Sequence, residues 1–288
     1  MKAIAGAVAA VGLLTFPFFA EGQEARKVPI KAKDYRVMAT SETMRIDGVL
    51  SEVAWQKAQP MEFDAETSPG DNIVPPARTA GFMTYDQKFL YVAIKAWDPD
   101  PNQIRAHLSD HDAAFSDDFA GVVLDTFNDN RRAFEFFVNP LGVQMDLVMD
   151  DVNQNEDDSW DAIWSSAGQI TAEGYIVEMA IPFTSIRFPR TEGEQTWGVD
   201  MVRNYPRSTR HRLGLQGLDA NRNCYLCQSS RVSGFRGITP GRDIELDPTL
   251  TAQQTSTRGN FPEGDLAPGD AKFDAGLTAR WGSLRTLP

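Results

Sequence analysis

Cysteine and histidine are scarce in this chain, which has two cysteines and three histidines among 288 residues. The histidines do not fall in a spacing that would complete a zinc site with the cysteine pair Cys224 and Cys227. That C-x-x-C pair also lacks the preceding strand and the following helix that a thiol redox motif requires. We therefore predict a local disulfide between Cys224 and Cys227, which would staple a loop of an exported protein.

Positive charge is also in short supply, with 28 lysines and arginines against 40 aspartates and glutamates and a formal net charge of −12. This deficit argues against nucleic acid as a partner, because a phosphate backbone needs a basic surface. The sequence contains no phosphate-binding glycine loop, no nucleophile elbow and no histidine pair of the metalloprotease type. We therefore expect a protein that is not an enzyme and needs no cofactor, with Ca²⁺ as the one candidate ion.

Long hydrophobic runs are absent except at the amino terminus, where one extends from Ala3 to Ala20. It follows Lys2 and ends in small residues at Ala20-Glu21-Gly22, which is the order of a secretory signal peptide. The run is close to the length of a membrane span, but Pro17 and the small-residue exit favour cleavage. We predict a signal peptide over residues 1–22, export of the chain, and a flexible lead-in over residues 23–35.

Short strands with alternating polar and apolar residues dominate the rest of the chain. Phe134, Phe136 and Val138 fall on one face of such a strand, and turn signals separate it from its neighbours. About eight or more strands of this kind, with little helix between them, are typical of a sandwich. The sequence therefore predicts an all-β fold, a jelly-roll-like β-sandwich with short helical turns.

Two short helical segments are expected inside this sandwich, over Ser51–Ala58 and over Trp160–Trp164. Ser51 is a suitable residue to cap the first of them. The apolar helical spacing around Trp55 places that side chain in the core. Trp197 begins an alternating strand and is also expected to be a core residue.

Three sequence phrases follow one another along the chain: Ile46-Asp47-Gly48-Val49-Leu50 with Trp55, then Tyr85-Asp86 with Leu90-Tyr91-Val92-Ala93-Ile94, then Gly174-Tyr175-Ile176-Val177-Glu178-Met179-Ala180-Ile181-Pro182-Phe183. In this order they resemble the family 9 carbohydrate-binding module. The resemblance implies a β-sandwich over residues 36–236 that binds a glycan or polysaccharide and does not cleave it.

A second resemblance involves Asp158-Ser159-Trp160-Asp161-Ala162-Ile163-Trp164, Pro240-Gly241-Arg242, and Asp274-Ala275-Gly276-Leu277 with Trp281-Gly282. These residues are similar to the amino-terminal part of a large bacterial surface family, in which such a module precedes an outer-membrane β-barrel of unassigned function. The resemblance implies a connector over residues 237–271 and the start of a truncated barrel over residues 272–288. It also implies a location in the periplasm, in the outer membrane or at the cell surface of a Gram-negative-type bacterium.

Two alternatives to glycan binding remain open at this stage. The sandwich could be an interaction module that plugs or docks its own outer-membrane barrel or a partner barrel. It could also be an accessory domain of a glycoside hydrolase whose catalytic carboxylates lie outside this sequence. A hydrolytic pair such as Asp118 and Glu178 is not expected here, because Glu178 lies in an alternating strand and could point outward or bind an arginine of a neighbouring strand.

Sugar recognition needs flat aromatic faces with polar groups around them. Trp160 and Trp164 stand four residues apart, flank Asp161 and lie next to an acidic loop, so they can present one face together. Trp97 and Tyr205 complete the set of predicted ligand-binding residues. The alternative for the tryptophan pair is packing of its loop onto the sandwich.

Oxygen ligands for Ca²⁺ are concentrated at two places in the sequence. The candidate ligands are Asp117, Asp118, Asp151, Asn153 and Asp157. The second place resembles the start of a helix-loop-helix calcium loop, but it lacks the central glycine and the closing glutamate. A looser calcium site is therefore the prediction, and a solvated acidic loop is its alternative.

Overall fold

In the computed structural model, the chain is described over residues 26–241, 244–259 and 263–281. The predicted signal peptide over residues 1–22 and the closing residues 282–288 lie outside these ranges. Within the described ranges, seventeen strands, numbered β1 to β17, form two large sheets and a separate hairpin. One α-helix there, α1, spans Val53–Lys57. The fold is an all-β sandwich, as the sequence predicted.

The larger sheet has nine strands, in the order β1-β15-β13-β7-β8-β9-β10, with β14 paired to both β13 and β4. Its members are β1 (Asp34–Arg36), β4 (Ala65–Ser68), β7 (Phe119–Asp125), β8 (Arg132–Val138), β9 (Gln144–Asp150), β10 (Asn155–Asp157), β13 (Gln195–Pro206), β14 (Arg210–Gly214) and β15 (Ser230–Phe235). The pairings are antiparallel except that of β1 with β15. The long strand β13 is central because β14 and β15 pair with different halves of one of its edges.

The smaller sheet has six strands, in the order β11-β12-β6-β5-β2, with β3 paired to β5. Its members are β2 (Met38–Ala39), β3 (Met61–Glu62), β5 (Thr79–Tyr85), β6 (Phe89–Trp97), β11 (Ser165–Thr171) and β12 (Gly174–Pro182). Two of the three phrases noted in the sequence, those at 85–94 and 174–183, therefore belong largely to neighbouring strands, β6 and β12.

The core lies between the inner faces of the two sheets. Phe136 and Val138 on β8 are fully buried there and Phe134 packs against them, as the alternation of this strand predicted. Trp197 on β13 is also fully buried, and its ring stacks on that of Phe235 with centroids 4.2 Å apart. Burial of this continuous apolar surface is the main source of stability for such a sandwich.

The outer face of the six-stranded sheet is covered by the segment that carries α1. Trp55 is buried there against Tyr91 and Ala93 of β6, as expected. The predicted cap is wrong, because no side chain at the start of α1 caps it. The carboxylate of Glu42 instead accepts hydrogen bonds from the backbone N–H groups of Val53 (3.2 Å) and Ala54 (2.9 Å). A residue distant in sequence thus satisfies the donors of the first turn.

The predicted helical turn over Trp160–Trp164 is wrong, since these residues have no regular secondary structure. The backbone N–H of Ala162 donates to Asp146 on β9 rather than to a helical carbonyl.

No helix among the described residues has the length and apolar character needed to cross a lipid bilayer.

A two-stranded hairpin follows the sandwich, formed by β16 (Ile244–Arg258) and β17 (Leu266–Trp281). Much of the predicted connector over residues 237–271 is therefore strand rather than linker. Large apolar side chains on one face are exposed, with Leu250 at 76% and Phe273 at 70%. The opposite face is polar, since it carries the cross-strand pairs Thr251–Asp274 and Gln253–Lys272. The two faces of this hairpin thus differ sharply in polarity.

Candidate functional site

The predicted tryptophan pair packs onto the sandwich instead of presenting a face to solvent. Trp164 is only 7% exposed, and its Nε1 donates to Asp146 Oδ2 at 2.6 Å. Its ring meets the edge of Phe136 at 5.2 Å between centroids, and the half-buried ring of Trp160 lies 5.1 Å from that of Phe134. Packing of this segment was the alternative that the sequence left open. The exposed Asp161 between the two rings belongs to a different group, described below.

Trp97 and Tyr205, the other predicted aromatic ligands, are covered by cations. The guanidinium of Arg78 lies 4.2 Å from the Trp97 ring centroid, and Lys95 Nζ lies 4.7 Å from it. The buried Tyr205 ring is contacted by the guanidinium of Arg207 at 4.0 Å. These cation–π contacts stabilise both rings within the fold.

The predicted calcium ligands Asp117 and Asp118 are buried and already hydrogen-bonded. Asp117 accepts from the backbone N–H of His107 at 2.7 Å and from Asn139 Nδ2 at 3.1 Å. Asp118 forms an ion pair with Arg207 at 2.8 Å. Burial raises the pKa of Asp118, and its bond to Arg207 opposes that rise. The two carboxylates thus anchor a loop and an internal ion network.

The other three predicted calcium ligands lie apart from these. Asp151 is buried and accepts hydrogen bonds from the backbone N–H groups of Tyr225 (3.1 Å) and Leu226 (3.2 Å). Asn153 and Asp157 are exposed, and they hydrogen-bond to Asp150 and Ser159. Across the described residues, the one cluster of metal-ligating side chains found is a different set: His111, Asp112, Asp146 and Asp161.

Cys224 and Cys227 form a disulfide in a turn of the chain. The turn carries Tyr225 and Leu226 onto the outer face of the nine-stranded sheet. Part of that face is apolar, because Met145, Leu147 and Met149 of β9 belong to a hydrophobic cluster separate from the main core. The disulfide-closed turn therefore covers part of a sheet face that would otherwise be open.

A cleft of about 450 Å³ remains open beside this turn, lined by Met149, Asp151, Gln154, Glu156, Arg212 and Tyr225. It combines an aromatic ring, a guanidinium, a carboxylate and an amide within one concave surface. A larger cleft of about 520 Å³ elsewhere has no aromatic ring among its lining residues. Since sugar sites pair aromatic surface with converging polar groups, the cleft beside Tyr225 is the candidate site, and we call it the Tyr225 cleft.

A series of hydrogen bonds holds the polar groups of the Tyr225 cleft in place. Arg212 Nη2 donates to the Tyr225 hydroxyl at 3.2 Å, and that hydroxyl donates to Asp200 Oδ2 at 2.6 Å. Burial raises the pKa of Asp200, and its bond with Tyr225 opposes the rise. Asp200 thus orients the tyrosine, and the tyrosine in turn positions the exposed guanidinium of Arg212.

Glu135 is buried on the same outer face, on β8, with an exposure of 2%. Its pKa is raised to about 8, chiefly by burial and also by the nearby Glu156, against the lowering effect of Arg212. At neutral pH Glu135 is therefore mostly protonated and can donate a hydrogen bond as well as accept one.

Sequence reasoning did not select Glu135, Arg212 or Tyr225. One signal was available for Glu135, because it is the charged residue of an otherwise apolar stretch and alternates with Phe134 and Phe136 onto the opposite face. Arg212 and Tyr225 come together only through the pairing of β14 with β13 and the path of the disulfide turn. Those relationships are tertiary and leave no local pattern.

Two largely antiparallel sheets around one core form a β-sandwich, the fold that the sequence resemblance implied. A family model described as "Carbohydrate family 9 binding domain-like" matches residues 46–221, which is more than half of the chain. The chain therefore belongs to the family 9 carbohydrate-binding-like domains. The sequence resemblance to this family is confirmed.

One solved structure agrees with this assignment at the level of the fold, and a second is reported for comparison. A protein of Bacteroides uniformis, provisionally assigned as carbohydrate-binding, has a TM-score of 0.57 at 14% identity; the match covers 71% of this chain and all (100%) of that one. A family 9 module from Caldicellulosiruptor kristjanssonii in complex with cellotriose has a TM-score of 0.49 at 16% identity, covering 73% of this chain and 95% of that one. No curated protein sequence matches this chain.

Proposed function

We propose that this protein is a non-catalytic glycan-binding module that holds its ligand in the Tyr225 cleft. Membership of a family of carbohydrate-binding-like domains supports the ligand class. The observation that carries the location is the junction of Tyr225, Arg212 and Glu156 in one open concavity. The guanidinium of Arg212 lies over the half-buried Tyr225 ring, 5.3 Å from its centroid. The ring offers its remaining apolar surface to the C–H face of a sugar, and the guanidinium and carboxylate bind its hydroxyls.

An open cleft of this kind buries only part of a sugar, so each contact contributes little and the affinity for a single ligand is modest. Repeated units of a polysaccharide would compensate through multiple weak engagements. This favours a polymeric ligand over a free monosaccharide as the natural target.

The test is a glycan array probed with the full chain, followed by calorimetry on the oligosaccharide that binds best. Arg212→Met keeps the aliphatic stem and removes the guanidinium, and we expect it to weaken binding at least tenfold. Arg231→Met is the matched control, because Arg231 is an exposed arginine on β15 of the same sheet and outside the cleft. Absence of binding by the folded protein would refute the function. Binding that Arg212→Met leaves unchanged would refute the location.

We further propose that the module is exported and is attached to an outer-membrane β-barrel. The predicted signal peptide and the polarity of the β16–β17 hairpin support this, since barrel strands alternate between an apolar lipid-facing side and a polar inner side. Antibody detection after fractionation of the producing cells tests it. Recovery in the outer membrane is expected, and recovery in the cytoplasm would contradict it.

A further inference from the structure

Four side chains from three parts of the chain meet at one edge of the sandwich. His111 and Asp112 lie in the loop before β7, Asp146 lies on β9, and Asp161 lies in the irregular segment before β11. One ligand atom from each lies within 4.8 Å of those of the other three. His111 Nδ1 is 2.7 Å from Asp112 Oδ2 and 3.5 Å from Asp161 Oδ1, and His111 Nε2 is 3.8 Å from Asp146 Oδ2. We call this group the His111 cluster.

Asp146 supplies an independent sign that a ligand belongs here. Its side chain has 0% exposure, and Oδ2 accepts hydrogen bonds from Trp164 Nε1 at 2.6 Å and from the backbone N–H of Ala162 at 3.3 Å. Its other oxygen, Oδ1, is buried and has no hydrogen-bond partner. A buried carboxylate oxygen without a partner is unfavourable, so such an atom in a native fold calls for an explanation. The same carboxylate faces His111, whose Nε2 lies 3.8 Å from Oδ2, so a cation bound by Asp146 at this cluster would supply that explanation.

The cluster is also preorganised by the backbone. Asp112 Oδ1 accepts from the backbone N–H of Asp146 at 2.9 Å, and the backbone N–H of Asp112 donates to the Gln144 carbonyl at 3.1 Å. Asp112 has a φ of 59°, in the left-handed region that aspartate tolerates better than most residues. Two of the three carboxylates are thereby fixed relative to β9, which reduces the entropy lost when an ion binds.

We propose that His111, Asp112, Asp146 and Asp161 bind one divalent transition-metal ion of the Mn²⁺ or Zn²⁺ class. The donor set selects the class: an imidazole nitrogen disfavours Ca²⁺ and Mg²⁺, which take oxygen ligands. Three carboxylates and no thiolate are compatible with both Mn²⁺ and Zn²⁺. These residues differ from all five predicted calcium ligands, although Asp161 was predicted to contact the sugar.

The ion would join the loop before β7 and the Trp160–Trp164 segment to β9. The loop also places Ala114 and Phe115 against the hydrophobic cluster on the outer face of the nine-stranded sheet. Metal binding therefore fastens two irregular segments that local secondary structure does not hold. The site stands on its own geometry and is independent of glycan binding.

The experiment uses the full chain, stripped with chelator and free of any histidine tag, and titrated with MnCl₂, ZnCl₂ or CaCl₂. Calorimetry measures stoichiometry for each ion, and the loss of the free Mn²⁺ electron-paramagnetic-resonance signal measures Mn²⁺ directly. We expect one site for Mn²⁺ or Zn²⁺, with CaCl₂ binding at least tenfold more weakly. Asp161→Asn should weaken binding at least tenfold, and it should fold normally because Asp161 is 74% exposed.

Two further variants keep the result specific. His111→Gln removes the imidazole and should also weaken binding at least tenfold. Asp158→Asn, at an exposed aspartate of the same segment outside the cluster, should leave binding unchanged. The proposal is overturned if neither Mn²⁺ nor Zn²⁺ binds, if Asp161→Asn and His111→Gln bind as well as the parent protein, or if Ca²⁺ binds most tightly.

Discussion

Glu178 and Trp55, 123 residues apart, are joined by a buried hydrogen bond from Trp55 Nε1 to Glu178 Oε1 of 3.0 Å. The other carboxylate oxygen accepts from the backbone N–H groups of Gly48 (2.7 Å) and Asp47 (3.0 Å). One carboxylate on β12 thus secures both the turn at Asp47-Gly48 and the tryptophan of α1. Residues of the first and third of the three sequence phrases are therefore in direct contact.

Glu178 points outward from the inner core, as the alternation of its strand allowed, and its partners there are Trp55 and the turn at Asp47-Gly48 rather than an arginine. The segment carrying α1 covers this side chain, and its exposure is 0%. Burial raises the pKa of Glu178, and its hydrogen bonds to Asp47, Gly48 and Trp55 oppose the rise. Asp118 is engaged with Arg207 on the other sheet. The two carboxylates do not share a cleft, so the pair has no hydrolytic geometry.

Glu178→Gln should destabilise the fold, because a glutamine has one acceptor oxygen where three donors converge. The expected loss is about 1–3 kcal/mol in the free energy of unfolding, the usual penalty for leaving buried polar groups unsatisfied. Urea denaturation followed by tryptophan fluorescence measures it. Glu173→Gln is the control: Glu173 is exposed and paired only with Lys95, so a change below about 1 kcal/mol is expected. Equal losses in both variants would contradict the assigned role.

Asp118→Asn should destabilise the protein whether or not Ca²⁺ is present. Asp118 and Asp98 together neutralise Arg207, and Asp98 also contacts Arg203, whose side chain has 0% exposure. Breaking one partner of a buried ion pair typically costs about 3–5 kcal/mol, because a charge remains uncompensated. Thermal unfolding in CaCl₂ and in chelator measures the effect. A loss of stability seen only with Ca²⁺ would support the sequence-based calcium prediction instead.

Glu135→Gln should change how stability depends on pH. The folded-state pKa of Glu135 is about 8, against an unfolded value of 4.5, so the native state holds a proton that the unfolded state releases. Stability therefore falls as pH rises through this window, by at most about 1.4 kcal/mol per pH unit. The variant lacks this loss. Urea unfolding should show that the free energy of unfolding of Glu135→Gln, relative to that of the parent, is higher at pH 8 than at pH 5. The same difference at both pH values would contradict the prediction.

Replacement of both Cys224 and Cys227 by serine should affect ligand binding more than stability. The disulfide joins residues with a sequence separation of only 3, so it restricts the unfolded chain little. Its contribution to the free energy of unfolding is therefore small, roughly 2 kcal/mol or less. However, the turn positions Tyr225 at the edge of the cleft. We expect weaker binding to the oligosaccharide chosen from the array, measured by calorimetry on a variant that circular dichroism shows to be folded. Unchanged affinity would remove the turn from the proposed site.

Local sequence pattern was enough to predict the sandwich, the family and several core positions. Alternation on β8 places Phe136 and Val138 inside because side chains on a strand point to opposite faces in turn. The cap of α1 could not be read in the same way, since Glu42 lies eleven residues before Val53 and reaches it through the tertiary fold. The helical spacing of Trp160 and Trp164 misled for a related reason: their environment is set by packing on β8 and by Asp146 of β9.

The sequence by itself determined which residues alternate between the two faces of a strand, which residues form turns, and which family the chain resembles. Those properties depend on residues that are close together in the sequence. Only the tertiary structure decided which polar groups meet. Arg212, Tyr225 and Asp200 come together through strand pairing and a closed turn, and His111 meets Asp146 and Asp161 because a loop and an irregular segment converge on one strand. A binding site depends on distances between residues remote in sequence, and the packing of the two sheets sets those distances.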